Sequence, residues 1–190
     1  MIEDPTTQTL RCFVAIASPL TEAARPLIDE LKSLSQTEHF RLRLAPPENL
    51  HITMKFIGNV DVNQVGLLDS ILRHQSNKQT AFQVNCQGIG FFENTLYMGI
   101  AENDVLRQFV TELNQAFTFL GYSIEDISFL PHITLARFAT VVRPELMDLL
   151  EAYRYQKWGS MNIESVQLFR SETLAEGARY TAIGNYPLLT

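Results

Sequence analysis

The sequence predicts an α+β fold built from two similar halves that face a central cleft. One tetrad occurs twice, as His-Ile-Thr-Met at residues 51–54 and His-Ile-Thr-Leu at residues 132–135. Polar and apolar side chains alternate in both copies, as in a strand with one buried face. The order strand, helix, tetrad strand, helix, strand runs through residues 11–90 and again through residues 95–170, and a final strand follows at about 179–186. We therefore expect two antiparallel or mixed sheets across a cleft, with helices on their outer faces.

Helical periodicity, caps and glycines define the elements within each half. Four segments repeat apolar residues at helical spacing, and Pro26 inside the first predicts a kink or a later helix start. Asp61 is placed to cap the second helix, and Asn103 or Asp104 the third, which Gly121 ends. The predicted elements are a strand at 11–17, a helix within 18–34, a short strand at 41–44, the first tetrad strand from 51, a helix within 61–72, strands at 82–86 and 95–101, a helix within 103–120, the second tetrad strand from 132, a helix at 143–153, and strands at 163–170 and 179–186.

Composition limits the class of protein. The 190 residues, 46% of them hydrophobic and 19% charged, can form a single domain of two lobes over residues 1–190. The net charge of -6 disfavours a protein that coats long nucleic acid, although it allows a small phosphate ligand. No apolar run approaches the ~20 residues that cross a bilayer, and residues 1–9 lack signal-peptide features. We expect a cytoplasmic location, with Cys12 and Cys86 as reduced core residues.

The paired tetrads also predict a catalytic site. Two imidazoles at one cleft, each with an unperturbed pKa of about 6.5, can divide the roles of acid and base near neutral pH. The threonine beside each histidine can donate a hydrogen bond to a phosphate oxygen. Because a matched pair of half-buried polar groups brings no structural gain, we interpret His51, Thr53, His132 and Thr134 as functional residues.

The sequence does not decide where two charged side chains next to the tetrads lie. Lys55 shares strand parity with His51, so it lines the cleft or lies at the surface. Arg137 points away from His132 under strict alternation. It reaches the site only if the strand bends or ends near Ala136.

Histidines and aromatic residues elsewhere carry weaker signals. His39 and His74 lie near helix ends among polar residues, and we expect both to be solvated. Phe91, Phe92 and Tyr97 lie beside strand ends, where aromatic side chains either pack in the core or stack on a base. No Cys/His spacing predicts a zinc site, and acid–base chemistry between histidines requires neither a metal nor a cofactor.

The chain resembles the two-histidine phosphoesterase superfamily, and within it the RNA 2′,3′-cyclic phosphodiesterases, also called 2′-5′ RNA ligases. The resemblance covers nearly the whole chain, and the paired tetrads are specific for the superfamily. Leu44 departs from it, since family members often carry an aromatic residue there, and so does the segment 91–95. Both departures concern RNA-end preference more than the chemistry. The matching segments are residues 11–16, 46–58, 131–137, 168–171 and 178–181.

This resemblance implies a bilobal fold and the metal-independent opening of a 2′,3′-cyclic phosphate to a 2′-phosphomonoester. It makes His51 the proton donor and His132 the proton acceptor. It also assigns Thr53, Thr134 and Arg137 to substrate binding. The expected partner is RNA or a nucleotide with a 2′,3′-cyclic phosphate end; no membrane partner is expected, and the chain is expected to act as a monomer.

Two alternatives remain open from the sequence. The chain could be a module that binds a phosphate end of RNA or a nucleotide without turnover. It could also be a phosphodiesterase or ligase that acts on 2′-5′ linkages or on a non-RNA cyclic phosphate. Base and ribose contacts come from loops, so the tetrads do not separate these substrates.

Overall fold

The structure, a computed structural model, describes residues 8–37, 42–124, 129–138, 144–175 and 177–190. Over these residues it is a mixed α/β fold with an antiparallel sheet and four α-helices. The strands are β1 (Thr9–Ala17), β2 (Leu42–Leu44), β3 (His51–Asp61), β4 (Phe82–Phe92), β5 (Thr95–Ile100), β6 (His132–Phe138), β7 (Lys157–Ile163), β8 (Ser165–Leu174) and β9 (Gly177–Pro187), and the helices are α1 (Arg25–Ser35), α2 (Val65–Ser76), α3 (Asp104–Thr118) and α4 (Pro144–Tyr153).

The strands form one hydrogen-bonded path instead of the two sheets expected from the sequence. Their order is β7-β4-β5-β6-β3-β1-β8-β9, and β2 pairs with β6. The two tetrad strands, β3 and β6, meet at the centre through the antiparallel pair Ile52 and Ile133. These isoleucines hold the same position in their tetrads, so the two halves join at equivalent residues.

The two sequence repeats are interleaved within the sheet. β4, at the end of the first repeat, pairs with β5 at the start of the second. β8, at the end of the second repeat, pairs with β1 at the start of the first. Each tetrad strand therefore lies in a half of the sheet that contains strands from both repeats.

Local sequence signals explain where the helices begin. α1 starts at Arg25, so Pro26 falls in its first turn, where a missing N–H does no harm; the start is late and the helix is not interrupted. Asn103 caps α3, because its Oδ1 accepts a hydrogen bond from the Leu106 N–H at 2.9 Å. Asp61 caps a short 3₁₀ turn that precedes α2.

The two faces of the sheet differ in what covers them. All four helices contribute their apolar stripes to one large core, which also contains Val14 and the buried Cys12 and Cys86. The alternate residues of β1, Phe13 and Ala15, belong to a small separate cluster on the opposite face. That second face carries the candidate site, and α1 reaches its edge, since Lys32 lines the cavity there. No helix in the described part of the chain is long and apolar enough to span a membrane.

Candidate active site

The contact between β3 and β6 brings the two tetrads together. The paired isoleucines are fully buried towards the helices. In an antiparallel register their neighbours face the other way, so His51 stands opposite Thr134 and Thr53 stands opposite His132. These four side chains are half-buried. Each histidine is therefore next to the threonine of the other tetrad.

Main-chain carbonyls hold both imidazole rings in the same way. The Nδ1 atom of His51 lies 2.6 Å from the carbonyl oxygen of Asn49, and that of His132 lies 2.8 Å from the carbonyl oxygen of Leu130. A carbonyl oxygen only accepts hydrogen bonds, so each Nδ1 carries a proton and donates it. Nε2 is then the atom of each ring that gains or loses a proton as the pH changes.

Burial lowers the pKa of both histidines below the ordinary value of 6.5. The hydrogen bonds to the Asn49 and Leu130 carbonyls oppose this shift, because they stabilise the charged ring. The charge of His132 lowers the pKa of His51 further. The two rings therefore sense one another, and both are neutral near pH 7 in the free protein.

Aromatic rings flank each histidine and account for its desolvation. Phe92 on β4 and Tyr97 on β5 contact His132. From the sequence, both were candidates for either the core or base stacking. Phe13 on β1 and Tyr180 on β9 contact His51. The sequence does not predict these two contacts, because β1 reads as buried on both faces and β9 has a polar composition. The ring centroids of Phe13 and Tyr180 lie 5.0 and 5.2 Å from that of His51, and those of Phe92 and Tyr97 lie 5.1 and 5.3 Å from that of His132.

A β-bulge occupies the last position of both tetrads. Met54 is the extra residue of β3 against β1, and Leu135 is the extra residue of β6 against β5. One extra residue shifts the inward–outward alternation by one position. Residues after each bulge therefore lie on the face opposite to the one that strict alternation predicts.

The bulge turns Arg137 to the face that carries His132 and Thr134. Arg137 pairs with Thr95, and Thr134 pairs with Tyr97, two residues further along the regular strand β5. Cross-strand partners share a face of the sheet. The orientation that strict alternation predicts for Arg137 is thus wrong. The bulge at Leu135 provides the bend near Ala136 that brings Arg137 to the face of the site. Nη1 of Arg137 donates to Oγ1 of Thr95 at 3.2 Å, which orients the guanidinium group.

The matching bulge removes Lys55 from the cleft. Lys55 is only 2% exposed, so it occupies neither the cleft nor the surface position expected from the sequence. Its Nζ donates to Oδ1 of Asn114 at 2.7 Å and to the carbonyl oxygen of Ser123 at 3.0 Å. Lys55 therefore ties β3 to α3 and the segment that follows it.

A cavity of about 450 Å³ lies on one side of the β3–β6 crossing. His51 from one tetrad and Thr134 and Arg137 from the other strand line it, together with Arg43 of β2 and Lys32 of α1. His132 and Thr53 lie beyond it, on the other side of the paired isoleucines. The cavity is therefore lined by three of the five predicted site residues and extends away from them along β2.

The two sides of the crossing differ in charge. Arg137 and Arg43 are direct cross-strand partners, and Lys32 lines the same cavity; we call these three residues the cationic side. Beyond Thr53 the cleft face carries Phe56, which is 62% exposed and lies 6.2 Å from the Phe13 ring. Phe13 and Phe56 form the apolar side. A ligand in the cleft therefore meets positive charge at one end and aromatic surface at the other.

Two other sequence candidates, His74 and Phe91, do not belong to this site. His74 is exposed, as expected, and His39 lies outside the described residues. Phe91 packs edge-on against Phe138 at 6.0 Å. Among the described residues no three His, Cys, Asp or Glu side chains come together in a group that could hold a metal ion.

Sequence comparisons identify related proteins. The family model for LigT-like phosphoesterases matches residues 14–102 and, a second time, residues 98–180. An RNA 2′,3′-cyclic phosphodiesterase of Methanocaldococcus jannaschii is 29% identical over 180 residues, 92% of this chain and 98% of that protein. One of Methanothermobacter thermautotrophicus is 26% identical over 178 residues, 90% of this chain and 95% of that protein.

Solved structures share the fold. E. coli LigT in complex with 3′-AMP aligns with a TM-score of 0.75 at 22% identity, over 96% of this chain and 100% of that one. A Thermus thermophilus protein aligns with the same TM-score and identity, over 94% of this chain and 98% of that one. The resemblance to two-histidine phosphoesterases seen in the sequence is thus confirmed, and the chain belongs to the family of LigT-like phosphoesterases.

Proposed function

We propose that this protein hydrolyses the 2′,3′-cyclic phosphate end of RNA or of a nucleotide to a 2′-phosphomonoester, without a metal, through His51 and His132. The observation that carries the proposal is the meeting of two His-x-Thr pairs on one face of the β3–β6 crossing. Relatives named RNA 2′,3′-cyclic phosphodiesterase support this kind of activity. We include in the proposal two pseudo-symmetric lobes, a monomer and a cytoplasmic location; the double match of the family model supports the lobes.

The proposed reaction uses one ring as base and the other as acid. Nε2 of His132 takes a proton from water as the water oxygen attacks phosphorus. Nε2 of protonated His51 gives its proton to O3′ as the P–O3′ bond breaks. The products are a 2′-phosphomonoester and a 3′-hydroxyl group, and proton exchange with solvent then restores both rings. Which ring has which role follows from the family resemblance, since the tetrads are alike.

Substrate binding favours the protonated form of the ring that acts as the acid. Both rings have a pKa below 6.5 in the free protein, so the acid form is scarce at pH 7. A bound cyclic phosphate carries a negative charge, which favours a protonated imidazole beside it. The mutual repulsion of His51 and His132 disfavours two protonated rings and so favours one charged and one neutral ring.

The other site residues hold the phosphate. The hydroxyl groups of Thr53 and Thr134 donate to its non-bridging oxygens, where negative charge grows in the transition state. Arg137 adds a positive charge, and its bond to Thr95 limits the number of orientations it can adopt. Phe56, at the exposed apolar side, offers a surface on which the terminal base stacks.

Incubation with a nucleoside 2′,3′-cyclic phosphate in EDTA tests the function. The expected result is complete conversion to the 2′-phosphomonoester at a rate that EDTA does not change. Tight binding with no product would support a binding module instead. Turnover only after addition of a divalent metal ion would contradict the mechanism, and faster cleavage of a 2′-5′-linked dinucleotide would favour the other substrate class.

A further inference from the structure

The cationic side places Arg43 and Arg137 next to each other along the cavity that His51 lines. Arg43 and Arg137 are direct partners on β2 and β6, and the Cβ atoms of such partners lie about 4.5–5.5 Å apart. Lys32 lines the same cavity, and its Nζ forms an exposed ion pair with Asp29 at 3.4 Å. This arrangement is suited to a ligand with more than one negative group.

The start of β9 shapes the wall of the cavity around Arg43. A Cβ atom on Gly177 would lie 3.3 Å from Nη1 of Arg43, so the absence of a side chain lets the guanidinium group approach the turn. Nδ2 of Asn49 donates to the carbonyl oxygen of Ala178 at 2.8 Å and fixes this turn to the segment before His51. The same Asn49 residue orients the His51 ring through its carbonyl oxygen. Asn49 therefore connects the start of β9, which lies beside Arg43, to the ring of His51.

We propose that Arg43 binds the phosphate on the 5′ side of the terminal nucleotide. The substrate class is then an RNA end or a 5′-phosphorylated nucleotide, in preference to a nucleoside cyclic phosphate with a free 5′-hydroxyl group. This inference rests on the proposed function, because it requires the cyclic phosphate to lie at the histidines. Arg137 then faces the reacting phosphate, and its partner Arg43 faces the next phosphate along the chain.

The direction of binding follows from the chemistry of a nucleotide. The base and the 5′ oxygen leave the ribose at different carbons, so a cyclic phosphate in the centre of the cleft allows them to point to opposite sides. Phe56, which is 62% exposed, suits the base. Arg43, as a charged donor with a forked guanidinium group, suits a phosphate.

Two substrates that differ only at the 5′ position test the subsite. The kcat/KM for a nucleoside 2′,3′-cyclic phosphate with a 5′-phosphate is compared with that for the same compound with a 5′-hydroxyl group. We expect the 5′-phosphate to raise kcat/KM about ten- to a hundred-fold in the wild type, and less at high salt. The ratio should fall close to one in Arg43→Gln and persist in part in Arg43→Lys.

A matched control separates the subsite from general charge. Arg107, on α3, forms an exposed ion pair with Glu102; Arg107→Gln removes this positive charge and should keep the wild-type ratio. A wild-type ratio near one would overturn the inference. So would a wild-type ratio that persists in Arg43→Gln, including the case in which both substrates lose rate equally.

A binding measurement distinguishes failure of the subsite from failure of the proposed function. Calorimetry compares the affinity of a nucleoside 2′-phosphate with that of the corresponding 2′,5′-bisphosphate. Tighter binding of the bisphosphate that is lost in Arg43→Gln would support the subsite even if neither cyclic phosphate is hydrolysed. Equal affinities for the two ligands would overturn it, whatever the activity.

Discussion

The two tetrad strands are alike from the histidine to the bulge and differ immediately after it. In β3 the bulge is followed by buried Lys55 and exposed Phe56, and in β6 by buried Ala136 and exposed Arg137. The shared part provides two equivalent imidazoles with equivalent carbonyl contacts. The part that differs makes one end of the cleft cationic and the other apolar, whereas two identical strands would make both ends alike.

The neighbouring strands repeat this difference. Opposite Phe56, β1 carries Phe13, and opposite Arg137, β5 carries Thr95, whose hydroxyl group accepts a hydrogen bond from the guanidinium group. Each exposed residue thus has a partner of its own chemical character. A ligand that is anionic at one end and aromatic at the other can bind in only one orientation.

The largest expected effect comes from the part that the strands share. His51→Ala and His132→Ala should each lower kcat by about 10²–10⁴, because each removes one of the two proton-transfer groups. Steady-state kinetics with a 2′,3′-cyclic nucleotide measure this, and His74→Ala is the control at an exposed histidine. A loss of less than ten-fold in either variant would contradict the role given to that ring.

Equivalent substitutions at Arg137 and Phe56 sharpen the difference between the strands. Arg137→Ala should lower kcat about ten- to a hundred-fold, since a charged hydrogen bond to the transition state is lost. Phe56→Ala should raise KM about ten-fold, from the loss of one stacking contact, with a much smaller change in kcat. Equal changes in kcat and KM for both variants would mean that the cleft lacks the proposed direction.

Lys55 and Ala136 are the buried residues that directly follow the two bulges, and we expect substitutions there to change stability and not activity. Lys55→Met removes the donor to Asn114 and to the Ser123 carbonyl and should lower the free energy of unfolding by about 1–3 kcal/mol. At ~2–4 °C per kcal/mol this is a clear fall in Tm by calorimetry. The exposed Lys78→Met is the control. A change in the pH–rate profile of Lys55→Met would contradict a purely structural role.

The pH dependence should show a small shift between the free and the bound protein. Because the pKa of each histidine lies below 6.5 in the free protein, the bell-shaped profile of kcat/KM should have its optimum on the acid side of 6.5. The anionic substrate raises the pKa of the ring it contacts, so the kcat optimum should lie at higher pH. A kcat optimum at lower pH than the kcat/KM optimum would contradict the predicted effect of the substrate on the histidine pKa.

The sequence predicts the strand pattern of the tetrads better than it predicts the sheet. The tetrads contain their own strand pattern and their own chemistry, so the pairing of histidine with threonine on one face could be derived from residues 51–54 and 132–135. Helix caps such as Asn103 act within four residues and are equally readable. These features depend on local sequence alone.

The bulges at Met54 and Leu135 depend on partner strands, and alternation along one strand does not reveal them. They explain the wrong parity at Arg137 and the unexpected burial of Lys55. β7 was not predicted, because its apolar residues are few and Gly159 interrupts it with a positive φ of 86°. The interleaving of the repeats and the meeting of Arg43 with Arg137 are long-range pairings, which no local pattern specifies.

Replacement of the bridging 3′ oxygen of the cyclic phosphate by sulfur tests the division of roles most directly. A thiolate, with a pKa near 8.5, leaves without the proton that an alkoxide requires. The account predicts that this substrate restores most of the rate of His51→Ala but none of the rate of His132→Ala. Restoration of His132→Ala instead, or of neither variant, would contradict His51 as the acid and His132 as the base.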